Sequence, residues 1–173
     1  MTSVHEKAEA ETDKEFAPEQ NFEPSDKRIL VVDDDASVRE MLARVLAGEG
    51  YRVGSAANGL QALEMVSADR FDLVLLDLNM PGKNGWDTFE QLTAGNPLIS
   101  IIIITAKPNQ LFTAMSAGVG ALMEKPLDFP TLLRTISDLL MEPVDRRLAR
   151  LAGVPAGFHY EPPHTVQRRS NKR

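Results

Sequence analysis

The sequence predicts an α/β fold, a doubly wound five-stranded parallel sheet in the order 2-1-3-4-5 with helices on both faces. Short apolar runs, typical of strands that are buried on both faces, occupy residues 29–32 and 73–76, and residues 98–105 are strongly β-branched. Helical apolar spacing follows each predicted strand, which gives five β-α units in succession. Such alternation requires parallel strands joined by right-handed crossovers, so helices cover both faces of the sheet.

The first half of the chain contains two predicted strands and two predicted helices. The strand at 29–32 is followed by three aspartates and then by a helix, which ends near Gly48 and Gly50. This helix has apolar residues at i, i+3, i+4, i+7 and i+8, namely Val38, Met41, Leu42, Val45 and Leu46. A short strand at 52–55 follows, and Asn58 can cap the second helix.

The second half continues the same alternation. The strand at 73–76 ends at Asp77 and is followed by a turn-rich segment and a helix over about 86–92. After the strand at 98–105, Pro108 suits the first turn of a helix. A short strand at 121–123 ends at Lys125, and Asp128 caps a final helix with apolar residues Leu132, Leu133, Ile136, Leu139 and Leu140.

Composition limits the classes of protein to which the chain can belong. Its 173 residues suit one ordinary domain, and the absence of cysteine excludes disulfides, thiolate metal sites and a cysteine nucleophile. The longest apolar run, residues 98–105, is far shorter than the about 20 residues that cross a membrane. No apolar leader occurs in residues 1–20. We therefore expect a cytoplasmic protein that does not enter membranes.

The net charge of −6 is unevenly distributed along the chain. Residues 1–26 are acidic and lack apolar periodicity, which predicts a disordered arm. Residues 27–142 contain the predicted domain. Residues 143–173 are basic and are expected to be a mostly flexible tail, although 145–151 could form two helical turns.

Polar side chains follow four of the predicted strands at the edge where parallel strands end. They are Asp33, Asp34 and Asp35, Asp77, Thr105, and Lys125. Taken singly, each could be a helix cap, a strand residue or a surface charge. Crowded carboxylates repel one another unless a cation lies among them, and aspartate oxygens suit Mg²⁺. A lysine and a hydroxyl beside one carboxylate would neutralise and position a phosphoryl group, so we expect an aspartyl phosphate to form here.

These motifs resemble one family, the receiver domain of bacterial two-component response regulators. The matching segments are ILVVDDD, LVLLDLNMPGKNG, IIIITA and EKPL, in the family's order and over about residues 27–141. The resemblance implies a flavodoxin-like fold and a role in phosphorelay signal transduction. It implies that Asp77 accepts the phosphoryl group, that Thr105 and Lys125 bind this group, and that Mg²⁺ is held by Asp33, Asp34, Asp77 and the backbone carbonyl of Asn79.

The resemblance also implies partners. The phosphoryl group would come from a sensor histidine kinase or a phosphotransfer protein, and would be lost by hydrolysis. Phosphorylation would move Thr105 inward and change the face formed by helix 4, strand 5 and helix 5, which binds a downstream protein. The chain would catalyse only its own phosphorylation and dephosphorylation. Leu122 departs from the aromatic residue that the family usually has there, which puts the usual readout in doubt.

Two other functions are compatible with parts of the sequence. The run Asp33-Asp34-Asp35 resembles the opening of haloacid-dehalogenase-type phosphatases, in which Asp33 would be the nucleophile and Asp35 the acid/base. That family needs a further acidic pair after a late strand, which we do not find, and Asp77 would have no role. A receiver-like scaffold that is never phosphorylated is the other alternative.

The sequence also suggests how the protein would act on its targets. Residues 143–173 are too few for a dedicated DNA-binding domain, so we expect a single-domain regulator, monomeric or weakly dimeric. The basic residues of this segment leave weak binding to nucleic acid or to an anionic surface open.

Overall fold

The computed structural model describes residues 23–81, 85–154 and 157–163, and they form a parallel sheet between two layers of helices. The sheet has six strands in the order β2-β1-β3-β4-β5-β6. The strands are β1 Arg28–Val32, β2 Arg52–Ala56, β3 Leu73–Asp77, β4 Ser100–Thr105, β5 Ala121–Glu124 and β6 His159–Glu161. The predicted order 2-1-3-4-5 is confirmed for the first five strands, and the sixth strand was not predicted.

Six α-helices connect or follow these strands. They are α1 Ala36–Gly48, α2 Gly59–Ala68, α3 Gly85–Gly95, α4 Leu111–Ser116, α5 Phe129–Leu140 and α6 Val144–Leu151. The predicted caps Asn58 and Asp128 are present, because their side chains accept hydrogen bonds from backbone N–H groups in the first turns of α2 and α5. The side chain of Asp35, for which capping was one of several alternatives, caps α1 in the same way. Asp35 therefore serves the helix.

The strands contribute side chains to two separate cores, because successive residues of a strand point to opposite faces. On one face, strand residues such as Leu30, Val74 and Leu122 pack with α2, α3 and α4. On the other face, Val31 and Leu75 belong to the core that includes residues of α1 and α5. A sheet that is buried on both faces needs the continuous apolar runs seen in the sequence.

The C-terminal segment is more ordered than the sequence predicts. The predicted helical turns are present as α6, but the expectation of a mostly flexible tail is wrong for residues 144–154 and 157–161. Arg150 is 3% exposed, and its guanidinium donates to the carbonyl of Gly118 and to the Glu142 carboxylate. A basic composition predicts solvated side chains, whereas Arg150 finds buried partners in Glu142 and in the Gly118 carbonyl, which lies far away in the sequence.

The predicted N-terminal arm lies mostly outside the described residues. Residues 1–22 are not described, and Pro24–Asp26 forms one turn of 3-10 helix before β1. Residues 164–173 also lie outside the description. Within the described ranges, no helix is long and apolar enough to cross a membrane.

Candidate functional site

Three carboxylates meet where β1 and β3 end. Val32 pairs with Leu76 in the parallel register, so the next residues, Asp33 and Asp77, lie side by side. Asp34 follows, and each of the three aspartates offers a carboxylate oxygen within 4.8 Å of the others. Asp33 and Asp77 are both 3% exposed, whereas Asp34 is exposed to solvent. The structure therefore brings together the three acids that the sequence predicted as metal ligands.

Lys125 reaches this cluster from the end of β5. Its Nζ lies 2.9 Å from Asp33 Oδ2 and 3.5 Å from Asp77 Oδ2. Its backbone N–H donates to the carbonyl of Thr105, which fixes the end of β5 against the end of β4. The Lys125–Pro126 peptide bond is cis. The predicted lysine is thus within ion-pair distance of the predicted nucleophile.

Burial and the neighbouring charges act in opposite directions on the two titratable groups. Burial raises the pKa of Asp77, and this outweighs the lowering effects of the Asn79 N–H and of Lys125. Burial lowers the pKa of Lys125, but its hydrogen bond to Asp33 and the charges of Asp77 and Asp33 outweigh it, so the net pKa is raised.

Thr105 lies at the end of β4, next to the strand that carries Asp77. It is fully buried, and Ile104, the residue before it, pairs with Asp77 in the register. The hydroxyl oxygen of Thr105 accepts a hydrogen bond of 2.9 Å from the backbone N–H of Lys107. A hydroxyl that accepts in this way keeps its own proton to donate to another oxygen. Thr105 is therefore placed as the sequence predicted, at the same edge of the sheet.

Asn79 completes the polar lining of this edge. Its backbone N–H donates to Asp77 Oδ1 at 3.1 Å. Its side-chain oxygen is buried and has no hydrogen-bond partner among the described residues. Carboxylate and amide oxygens without histidine or cysteine suit a small hard cation, so the donor set fits Mg²⁺. Whether the backbone carbonyl of Asn79 is a ligand stays a prediction.

Two contributors to the site were missed by the sequence analysis. A Cβ atom on Gly85 would lie 2.6 Å from Leu78 Cα and 2.9 Å from the carbonyl oxygen of Asp77, so only glycine lets α3 begin against the end of β3. The Arg39 guanidinium donates to the backbone carbonyl of Asp33 at 2.6 Å. The position of Arg39, one helical turn after the acid run, was the signal that could have identified it.

Comparison with known proteins decides the family. A family model, described as the response regulator receiver domain, matches residues 29–137. The chain belongs to this family. The transcriptional regulatory protein ZraR of Klebsiella oxytoca is 44% identical over 114 residues, which are 65% of this chain and 26% of ZraR. The response regulator MprA of Mycobacterium avium is 34% identical over 145 residues, which are 71% of this chain and 64% of MprA. The chain thus spans less than two thirds of these relatives.

Solved receiver structures have the same fold. A receiver domain protein from Methanospirillum hungatei aligns with a TM-score of 0.64 at 29% identity, over 70% of this chain and 96% of that one. The response regulator TrrA of Thermotoga maritima, solved with Mg²⁺ and BeF, aligns with a TM-score of 0.61 at 34% identity. That alignment covers 65% of this receiver chain and 98% of TrrA. The flavodoxin-like fold and the role as a two-component receiver domain are therefore established.

The phosphatase alternative finds no support in this site. Asp35, which would be its acid/base, accepts hydrogen bonds from the backbone N–H groups of Ser37 and Val38 and so caps α1. Among the described residues, the one acidic group compact enough for a metal is Asp33, Asp34 and Asp77. A receiver domain explains Asp77, which the phosphatase alternative leaves without a role.

Proposed function

We propose that Asp77 accepts a phosphoryl group from the phosphohistidine of a sensor histidine kinase or a phosphotransfer protein. The observation that carries this proposal is a buried carboxylate 3.5 Å from the ammonium of Lys125 and grouped with two further acids. Asp33, Asp34, Asp77 and Asn79 would hold Mg²⁺, which supplies neutralising charge to the phosphoryl oxygens. Support for magnesium comes from the donor set and from TrrA, which was solved with Mg²⁺ and BeF.

The chemistry assigns a role to each side chain. A carboxylate oxygen of Asp77 forms the new bond to phosphorus, the P–N bond to the donor imidazole breaks, and the imidazole nitrogen leaves with the electron pair and takes up a proton. Lys125 pairs with one phosphoryl oxygen, and the Thr105 hydroxyl donates to another. Water later cleaves the acyl phosphate and restores the carboxylate. The chain would therefore catalyse only its own phosphorylation and dephosphorylation.

The phosphorylated domain would act by binding a downstream protein in the cytoplasm. ZraR is named as a transcriptional regulatory protein, but the aligned part of this chain corresponds to only 26% of it. The phosphorylated domain would therefore either bind a downstream protein through the face formed by α4, β5 and α5, or pass the phosphoryl group on to another protein.

Labelling of single-site variants tests the phosphoacceptor. With acetyl phosphate and Mg²⁺, wild type and Asp138→Asn should be labelled, whereas Asp77→Asn should not, because an amide is a poor nucleophile. Asp138 is an exposed acid on α5 and serves as the matched control. Full labelling of Asp77→Asn would refute the assignment. If Asp77→Asn kept the label and Asp33→Asn lost it, the phosphatase alternative would be favoured.

A further inference from the structure

The C-terminal segment covers the outer edge of β5. In the parallel ladder Ala121 pairs with His159, Leu122 with Tyr160, and Met123 with Glu161. The backbone N–H of His159 donates to the carbonyl of Gly120 at 3.2 Å. In a five-stranded sheet β5 would be an edge strand with unpaired backbone groups. Here β6 takes that position, and the edge of β5 is already occupied by the chain's own strand.

Two aromatic side chains of this segment lie on the same side of the sheet as α4. Phe158 packs against the core cluster that contains Ala114 of α4 and Leu122 of β5. Tyr160 lies two residues further along the strand, beside the fully buried Leu122. The Tyr160 hydroxyl donates to Glu124 Oε1 at 2.9 Å. This hydrogen bond links the centre of β6 to the C-terminal end of β5.

That end of β5 is also the part of the strand that enters the phosphoryl site. Glu124 pairs with Thr105 in the register and immediately precedes Lys125. The backbone of Lys125 is tied to Thr105, and its ammonium lies between Asp33 and Asp77. The contact between Tyr160 and Glu124 is thus one residue away from the lysine that would bind the phosphoryl group.

The two elements of the C-terminal segment are held with unequal strength. Helix α6 is fixed by the buried ion pair of Arg150 with Glu142 and by Arg147, which donates to the carbonyls of Leu98 and Leu139. Strand β6 has three residues, and Tyr160 at its centre is 40% exposed. Short elements with few buried contacts open more readily than the core does. Strand β6 is therefore held by fewer buried side-chain contacts than α6.

We propose that β6 is a displaceable edge strand whose docking on β5 is weakened when Asp77 is phosphorylated, an inference that rests on the proposed function. A phosphoryl group adds about two negative charges beside Lys125 and competes with Asp33 for its ammonium. The resulting shift of the end of β5 changes the geometry between Glu124 and Tyr160. Release of β6 exposes the backbone of β5, where an extended segment of a partner can add as a strand.

Amide hydrogen exchange in the full chain tests this coupling, with beryllofluoride and Mg²⁺ as the phosphoryl mimic. The amide of Asn79 reports binding at the site, and the amide of His159 reports docking of β6. We expect the Asn79 resonance to shift and the His159 amide to exchange about tenfold faster, a usual size for coupling between two sites. A response at Asn79 with unchanged or slower exchange at His159 overturns the displaceable strand and leaves the phosphoacceptor intact. No response at either amide refutes both.

Variants of β6 test the same coupling in the reverse direction. Because linkage is reciprocal, weakening β6 must tighten the binding of beryllofluoride and Mg²⁺. His159→Pro removes the N–H that donates to Gly120, whereas His159→Ala keeps it and is the matched control. Tyr160→Phe keeps the ring but removes the hydrogen bond to Glu124, and should reduce the effect of beryllofluoride on the His159 amide. Equal affinities in His159→Pro and His159→Ala, together with an unaltered response in Tyr160→Phe, would overturn the inference.

Discussion

Under the proposed function Asp77 combines two requirements in one side chain, because it would have to be ionised to attack phosphorus and yet is buried. Its pKa is raised mainly by burial, so its ionised form is less favourable in the folded protein than in the unfolded chain. The carboxylate therefore lowers the free energy of unfolding at pH values above its raised pKa, and this cost disappears at lower pH, where the carboxyl is neutral. Lys125 reduces the cost without removing it.

Asp77→Asn should therefore stabilise the protein in the absence of Mg²⁺. At pH 7 in the presence of a chelator, we expect its melting temperature to exceed that of wild type, because the amide carries no charge. The difference should shrink as the pH falls through the raised pKa of Asp77. Thermal unfolding followed by circular dichroism measures it, with Asp138→Asn as the control at an exposed acid. A lower melting temperature for Asp77→Asn at pH 7 would contradict this account.

Asp34→Asn should weaken Mg²⁺ binding by about tenfold, because it replaces a charged carboxylate ligand by a neutral amide, which attracts a hard cation less strongly. Asp35→Asn is the matched control, because asparagine is an equally good helix cap and the Asp35 side chain accepts hydrogen bonds from the first turn of α1. Fluorescence of Trp86, the one tryptophan of the sequence, follows the titration from the start of α3. Equal loss of affinity in both variants would mean that long-range charge, and not ligation, explains the effect.

Gly85→Ala should disturb the site through the backbone. The added Cβ would lie 2.6 Å from Leu78 Cα, which cannot give way as a flexible side chain can. We expect a loss of about 1–3 kcal/mol in the free energy of unfolding and slower labelling by acetyl phosphate. Gly95→Ala, at the other end of α3, has nothing within 4 Å of the added Cβ and should be nearly neutral. Similar unfolding midpoints in urea for the two variants would show that α3 can move away from β3.

At the scale of secondary structure, α6 and β6 change the surroundings of β5. The family's usual aromatic residue is absent at Leu122, which is fully buried in the core on the α4 side. An aromatic ring is nevertheless present next to it, on Tyr160 of the neighbouring strand. A partner that binds beside β5 would therefore also contact Tyr160, which lies beyond the five predicted strands.

The anchoring of α6 can be tested through its buried ion pair. Arg150→Met should lower the free energy of unfolding by about 1–3 kcal/mol, because it removes the main partner of the buried Glu142 carboxylate and leaves it the longer contact with Arg147 Nε at 3.4 Å. Arg146→Met, at an exposed position of the same helix, should have little effect. Urea unfolding provides the comparison. The double change Glu142→Gln with Arg150→Met should recover part of the loss, and a neutral single change would mean that α6 does not contribute to the fold.

At the scale of the whole molecule, the sequence was most informative where one physical rule governs many residues. Strands buried on both faces need continuous apolar runs, so β1, β3 and β4 could be predicted from the sequence. Parallel strands end at one edge of the sheet, which brings together Asp33, Asp77, Thr105 and Lys125. The rest depends on tertiary contacts that no periodic sequence pattern encodes. Arg150 is buried because Glu142 and the Gly118 carbonyl meet it. Neither this burial nor the closeness of Gly85 to β3 leaves a local signal in the sequence.

The central claim is that Asp77 is the residue that carries the phosphoryl group. The most direct measurement is to incubate the full chain with acetyl phosphate and Mg²⁺, reduce the acyl phosphate with borohydride, and locate the reduced residue by peptide mass spectrometry. The account predicts a single reduced aspartate at position 77, and no reduction when Mg²⁺ is chelated. Reduction at Asp33 instead, or at no aspartate in the presence of Mg²⁺, would contradict it.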